Sequence, residues 1–190
     1  EAIRNAGRLV KEGGAEAVKL EGGREFVPTV RAIVEAGIPV MAHLGLTPQT
    51  ATRLGGYRVQ GRDAASALRI LEDALLLQEA GAFAVLVECV PDQVSSLLRQ
   101  RLEVPLIGIG AGPHCDGQVL VLSDLLGLYD RLSPRFVKRY ADLGRQAVEA
   151  ISAFAREVRA GAFPGPEHSV TMPQEELARL TQALATASQE

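Results

Sequence analysis

Phe83-Ala84-Val85-Leu86-Val87-Glu88-Cys89-Val90-Pro91 decides the fold class of this 190-residue chain. Its first five residues are all apolar, a length that suits a strand better than a helix. A strand with no polar face belongs to a parallel sheet covered on both sides. The run then ends on a carboxylate, Glu88. A carboxylate at the end of a buried strand costs free energy unless it has partners or a task. In barrels and open α/β sheets, active sites are built at the carboxyl ends of the strands. Glu88 is therefore the first candidate for chemistry.

The same grammar recurs along the chain. A helical stretch ends at a glycine and a short apolar strand follows, as in Glu12-Gly13-Gly14-Ala15-Glu16-Ala17-Val18-Lys19-Leu20 and Glu35-Ala36-Gly37-Ile38-Pro39-Val40-Met41-Ala42. Glycine just past a helix is the usual left-handed cap. Val104-Pro105-Leu106-Ile107-Gly108-Ile109-Gly110 gives a fourth strand and Gln118-Val119-Leu120-Val121-Leu122 a fifth. Between them, Leu68, Leu71 and Leu75 recur at helical spacing. So do Val94, Leu97, Leu98 and Leu102, with Asp92 as the expected N-cap. Phe136, Tyr140, Leu143, Ile151, Phe154 and Val158 predict a long helical region from Pro134 to Ala160, and a final helix is expected from Pro173 to Ser188.

Alternating strands and helices specify an α/β protein with a parallel sheet. A (β/α)8 barrel uses about 30 residues per unit, so five units use about 150. The expectation is five of eight strand–helix units of a TIM-type barrel plus C-terminal helices, spanning residues 1–170, followed by a helical tail over 171–190. A complete five-stranded open sheet is the alternative that pattern alone leaves standing. Because Glu1 to Lys11 already reads as a helix with no strand before it, the chain is expected to be cut on its N-terminal side.

Composition removes several function classes. At 47% hydrophobic and 23% charged, the chain has ample material for a core. A net charge of -3, no basic run and 4% aromatic residues argue against nucleic acid. No apolar stretch approaches the ~18 residues of a membrane span, and no signal peptide opens the chain. Cys89 and Cys115 form no CxxC pair, and His43, His114 and His168 lack zinc-ligand spacing with them. Cys89 reads as a small buried apolar residue, and a reducing cytoplasm is the expected location.

Other candidates sit at strand ends. Lys19 and Glu21 are two apart, so on a strand they point the same way. Lysine there can bind a carboxylate, and glutamate can offer oxygen to a hard cation; a structural Lys–Glu pair is the alternative. His43 ends the second strand, where a catalytic role competes with that of a hydrogen-bonded core histidine. Gly108-Ile109-Gly110-Ala111-Gly112 permits close backbone approach or an anion cradle, against a plain tight turn. Gly55-Gly56-Tyr57-Arg58-Val59-Gln60-Gly61-Arg62 falls in a long loop on the face where substrate covers occur. His168 and Cys115 look incidental, and Asp116 and Asp124 could be caps.

Several of these segments resemble one family. Val18-Lys19-Leu20-Glu21-Gly22-Gly23, His43-Leu44-Gly45-Leu46-Thr47-Pro48-Gln49, Gly56-Tyr57-Arg58-Val59-Gln60-Gly61-Arg62, Leu86-Val87-Glu88-Cys89-Val90-Pro91 and Ile107-Gly108-Ile109-Gly110-Ala111-Gly112 occur in the order found in ketopantoate hydroxymethyltransferases. Asp116-Gly117-Gln118-Val119-Leu120-Val121 and Pro164-Gly165-Pro166-Glu167-His168-Ser169 extend the resemblance to about Ser169. It implies a (β/α)8 barrel and a cytoplasmic homo-oligomer, a decamer. It implies transfer of a one-carbon unit from 5,10-methylenetetrahydrofolate to 3-methyl-2-oxobutanoate, giving 2-dehydropantoate for pantothenate and coenzyme A synthesis. Lys19 would bind the oxo acid, Glu21 would lie at a Mg2+ site, and Glu88 would be the general base. The resemblance assigns no folate contact. In the family two aspartates from earlier strands also bind metal and substrate, and no segment here resembles those strands. The expected metal site is thus incomplete on this chain. The competing readings are a related Mg2+-dependent 2-oxo acid lyase or mutase, and an inactive truncated barrel fragment.

Overall fold

A computed structural model describes residues 1–129 and 134–187. Two compact units divide the chain, the first built from Glu1–Leu125 with the segment around Phe136, the second mainly from Tyr140 onward. The first unit alternates helix and strand: α1 (Ala2–Lys11), β1 (Val18–Glu21), α2 (Val27–Glu35), β2 (Val40–Gly45), α3 (Ala64–Glu79), β3 (Ala84–Glu88), α4 (Asp92–Arg99), β4 (Leu106–Ile109), β5 (Gly117–Gln118) and the short α5 (Leu122–Leu125). The second unit carries α6 (Leu143–Arg159) and α7 (Gln174–Ala187). Ser188, where the last helix was expected to end, lies outside the described residues.

All five strands pair in parallel, in the order β1-β2-β3-β4-β5. The α/β class and its parallel sheet are as the sequence implies. The order never reverses, so every crossover advances the sheet in one direction, which is barrel-type winding. A doubly wound sheet has a reversal point.

Period-two alternation gives the sheet two different faces. Val40, Ala42 and Leu44 of β2, with Val85 and Val87 of β3, join one apolar core with the helices. Val30 and Ile33 of α2, Ala74 and Leu77 of α3 and Leu98 of α4 close over them. The alternate residues, Lys19, Glu21, His43 and Glu88 among them, face the other way. α3 starts from a well-made cap: the Asp63 carboxylate accepts the Ser66 N–H at 2.9 Å.

Four local expectations are corrected. Phe83 precedes β3 and is exposed, so the buried run starts at Ala84. Asp92 is the first residue of α4 rather than its cap and makes no side-chain cap bond. Pro91 holds the cap position, and the Asp92 charge lies in the first turn, where the helix dipole favours it. β5 covers Gly117–Gln118, not Gln118–Leu122. As the last strand of this ladder it pairs only with β4, and beyond Val119 the backbone turns at Val121 into α5. The long helix begins at Leu143, not Pro134. The Val137 N–H bonds to the Pro134 carbonyl in a turn, and the Phe136 ring instead lies against Gly110, where a Cβ would strike it.

Asp116, the residue before β5, pins the start of β4. The Asp116 carboxylate accepts the Leu106 N–H at 2.9 Å and the Arg99 Nε–H at 2.6 Å. The Leu106 N–H, followed by Arg99, holds the Asp116 carboxyl below its ordinary range.

Two tests follow from this packing. Leu77 is fully buried, so Leu77→Ala is expected to lower unfolding stability by about 2–5 kcal/mol in a urea titration. Because the folded-state pKa of Asp116 is depressed, the stability it confers is complete above its ordinary pKa and is lost as pH falls through the depressed value. Asp116→Asn should therefore flatten the acid end of the stability–pH curve while the neutral-to-alkaline part keeps its shape.

Candidate active site

Three adjacent strand ends bring four polar side chains into a row. Register sets this row: Glu21 pairs with His43 across β1 and β2, and Gly45 pairs with Glu88 across β2 and β3. The Glu21 Oε1 atom lies 3.9 Å from Lys19 Nζ and 3.4 Å from His43 Nδ1. On the far side of the ring, His43 Nε2 lies 3.3 Å from Glu88 Oε2. The His43 side chain is 1% exposed, Glu21 10% and Glu88 16%, whereas Lys19 is half exposed. The sequence singled out Lys19 together with Glu21, and His43 and Glu88 each alone. That His43 stands between the two carboxylates emerges only from strand pairing, which local sequence does not display.

The backbone around the row is tightly specified. Glu21 Oε2 also accepts the Gln49 N–H at 3.2 Å, which ties the loop after β2 to β1. Gly45 has φ 86°, and a Cβ there would collide with the Glu88 carbonyl and the Val90 side chain. The Leu46 N–H donates to that same Glu88 carbonyl at 2.8 Å. Next in sequence, Cys89 has φ 49°, a left-handed conformation that costs a non-glycine residue about 1–3 kcal/mol. It is held there from both sides. Its N–H donates to the Ile109 carbonyl at 2.9 Å, and its carbonyl accepts the Gln60 N–H at 2.8 Å. The glycine-rich loop of Gly55 to Arg62 is thereby latched to the residue after Glu88. Nothing in the local sequence of Cys89 signals this latch.

Cys89 is half-buried rather than fully buried, which corrects the sequence reading. Burial, reinforced by the Glu88 charge, pushes its thiol up to about 11. Burial also raises the Cys115 thiol. Neither is a thiolate at neutral pH, so neither suits nucleophilic or acid–base work there.

Beside the row opens a cavity of about 540 Å³, lined by Glu21, Phe26, Thr47, Arg53, Gln60 and Arg69 among others. It lies between the ends of β1 and β2 and the first turns of α3. Its volume is that of a small-molecule site. The Gly108–Gly112 segment does different work. A Cβ at Gly110 would meet the Phe136 ring, and one at Gly112 would meet Asp92. Those contacts account for its glycines as packing requirements.

Mg2+ prefers hard oxygen ligands and often takes only one or two carboxylates, with water and substrate completing its shell. Glu21 suits one such position by chemistry and by its place at the rim. Among the described residues no group of three or more His, Cys, Asp or Glu side chains is arranged to hold a metal ion. Glu21 by itself offers a single carboxylate, not a complete ligand set. No helix among the described residues is long and apolar enough to cross a membrane.

Comparison with known proteins shows which family the chain resembles. The family described as ketopantoate hydroxymethyltransferase matches residues 1–166. The 3-methyl-2-oxobutanoate hydroxymethyltransferase of Heliobacterium modesticaldum is 58% identical over 175 residues, covering 92% of this chain and 63% of that protein. The protein of the same name from Moorella thermoacetica is 62% identical over 169 residues, covering 89% and 63%. That from Nitratidesulfovibrio vulgaris is 59% identical over 169 residues, covering 89% and 55%. The chain thus spans 55% to 63% of the length of these relatives.

The thiol environment can be checked directly. With its pKa near 11, Cys89 should react with iodoacetamide at pH 8 about 100-fold more slowly than a thiol at the ordinary value, followed by mass spectrometry of the labelled peptide. Labelling at the rate of an unhindered thiol would show that the pocket around it is open to water.

Proposed function

This chain belongs to the ketopantoate hydroxymethyltransferase family, and on that footing we propose that its Lys19–Glu21–His43–Glu88 row does the proton-abstraction work of a one-carbon transferase. The substrates proposed are 3-methyl-2-oxobutanoate and 5,10-methylenetetrahydrofolate, and the product is 2-dehydropantoate, a precursor of pantothenate. The observation that carries the reading is the placement of Glu88. Its carboxylate ends a buried strand, on the sheet face that also bears Lys19 and Glu21.

The chemistry requires these residue types. A hydrogen on the carbon next to a ketone is too weakly acidic to leave unaided. Lys19, half exposed and cationic, suits the carboxylate of the oxo acid. Glu88 takes the proton from C3, and the C–H electron pair becomes the enolate. The enolate carbon then forms a C–C bond to the methylene carbon, presented either as formaldehyde after water has cleaved both C–N bonds or as a folate iminium whose remaining C–N bond is cleaved after the attack. Water supplies the hydroxyl oxygen, and tetrahydrofolate leaves. Mg2+, with Glu21 among its ligands directly or through water, would supply positive charge beside the 2-oxo group and so lower the cost of the enolate. The cavity beside Glu21 gives room for the cosubstrate, and the guanidinium groups of Arg53 and Arg69 on its wall suit the carboxylates of a folate tail.

Family membership also supports a homo-oligomer, decameric in the whole protein and working in the cytoplasm on small molecules, without nucleic-acid or membrane partners. Enzymes of the lyase or mutase alternative typically use a catalytic cysteine loop, and the raised thiols of Cys89 and Cys115 argue against that reading.

The test is exchange of the C3 hydrogen of 3-methyl-2-oxobutanoate in D2O, followed by proton NMR with the whole protein and Mg2+. Glu88→Gln should slow exchange by about 10²–10⁴-fold. Lys19→Met should act mainly by raising KM for the oxo acid, and chelation of the metal should stop exchange. An unchanged rate in Glu88→Gln removes Glu88 from the base role.

A further inference from the structure

His43 is the one member of the row to which the proposed reaction gives no role. Its ring is 1% exposed, yet neither ring nitrogen makes a well-aligned hydrogen bond. A buried polar group left in that state costs free energy, and most core histidines avoid it. Here the ring has carboxylates on both sides, Glu21 at 3.4 Å from Nδ1 and Glu88 at 3.3 Å from Nε2. The backbone leaves the ring little latitude, because β2 is paired on both flanks and the His43 carbonyl accepts the Gly22 N–H at 3.0 Å.

Donor and acceptor counts show what the arrangement favours. A neutral imidazole offers one N–H and one lone pair, while an ionised carboxylate only accepts. With both carboxylates ionised, one nitrogen can be satisfied and the other faces a second acceptor. When Nδ1–H donates to Glu21, the lone pair of Nε2 points toward Glu88. If Glu88 carries a proton, its O–H donates to Nε2 and both nitrogens are complete. For a neutral ring, the hydrogen-bond inventory therefore closes in the state that follows proton abstraction from substrate and not in the state before it. Interactions stronger in the transition state than in the ground state accelerate a step, and this one develops as the proton arrives on Glu88.

We propose that His43 is a positioning residue: its Nδ1–H anchors on Glu21 while its Nε2 accepts the O–H of proton-loaded Glu88, coupling the metal-side carboxylate to the base. The proposal rests on the transferase reading above. The C3–H bond breaks, its electron pair stays on substrate as the enolate, and the proton resides on Glu88 with Nε2 as its acceptor. The ring gains and loses no proton.

The experiment measures C3-hydrogen exchange and KM for 3-methyl-2-oxobutanoate on the whole protein, with His43→Leu and His43→Gln made in the wild-type and Glu88→Gln backgrounds. His43→Leu should lower exchange by about 10–100-fold with KM changed by less than about threefold. His43→Gln, whose amide oxygen can accept where Nε2 does, should recover part of that loss. In the Glu88→Gln background His43→Leu should have no further effect, because the two residues act as a unit. Equal fractional losses in both backgrounds, or an unchanged rate in His43→Leu, would overturn the proposal and leave the transferase reading standing. Absence of exchange in the wild-type protein would overturn both. If the His43 variants do not fold, ¹⁵N NMR of the wild-type imidazole decides: a proton on Nδ1 and an Nε2 signal that shifts in Glu88→Gln support it, and a proton on Nε2 refutes it.

Discussion

The parallel register between β2 and β3 is the constraint on which the site depends. It sets Gly45 opposite Glu88 and leaves His43 one step back, level with Glu21 on the other neighbour. Side chains alternate along a strand, so a slip of one residue would send Glu88 into the helix layer and bring Val87 to the functional face. Two different forces hold the register. Val40, Ala42, Leu44, Val85 and Val87 all lose core burial if it shifts. At the strand ends Gly45 permits an approach to the Glu88 carbonyl that any Cβ would block. Apolar burial fixes the face, and the missing side chain fixes the last few tenths of an ångström.

That division of labour separates stability from chemistry. The helix-covered face supplies the apolar burial, while the opposite face carries charges that a folding protein would otherwise avoid. Its costs are visible. Cys89 adopts a left-handed conformation, and two nitrogens of a buried ring lack aligned partners. Both features lie within one or two residues of Glu88 in sequence or across a strand. Strain and unsatisfied polarity persist only where surrounding structure outweighs them, and here the core behind the sheet does so.

Much of this was legible in the sequence because the physics involved is local. Uninterrupted apolar runs ending in Glu88 or starting after Gly37 specify buried parallel strands whatever lies beside them. The i, i+2 spacing of Lys19 and Glu21 puts them on one face by strand geometry alone. What failed depended on neighbours. Phe136 and Tyr140 have helical spacing with the residues of α6, but Phe136 packs against the bare backbone of Gly110 instead. Val119 to Leu122 have strand composition, yet the ladder stops at Gln118, before β4 ends, and the backbone turns at Val121 into α5. Asp116 could have been a cap by sequence and is instead a clamp, because Arg99 and Leu106 reach it from other elements. His43 was identifiable as a residue at a strand end, but its place between two carboxylates required pairing on both sides of β2.

The same row bears on the question of a cation. Glu21 is nearly buried, and its cationic partner Lys19 is half exposed and 3.9 Å away. An ion pair of that length and exposure is weak compensation for a carboxylate taken out of water. Two further partners, the Gln49 N–H and the His43 ring, contribute dipoles rather than a full charge when the ring is neutral. Lys19 is also the group that the proposed substrate carboxylate would engage, which would draw its charge away from Glu21. A hard cation sharing Glu21 with the substrate would correct both deficits at once, whereas a second lysine would correct only the first. If Mg2+ resides at Glu21 as proposed, it would thus offset the burial of that carboxylate as well as stabilise the enolate.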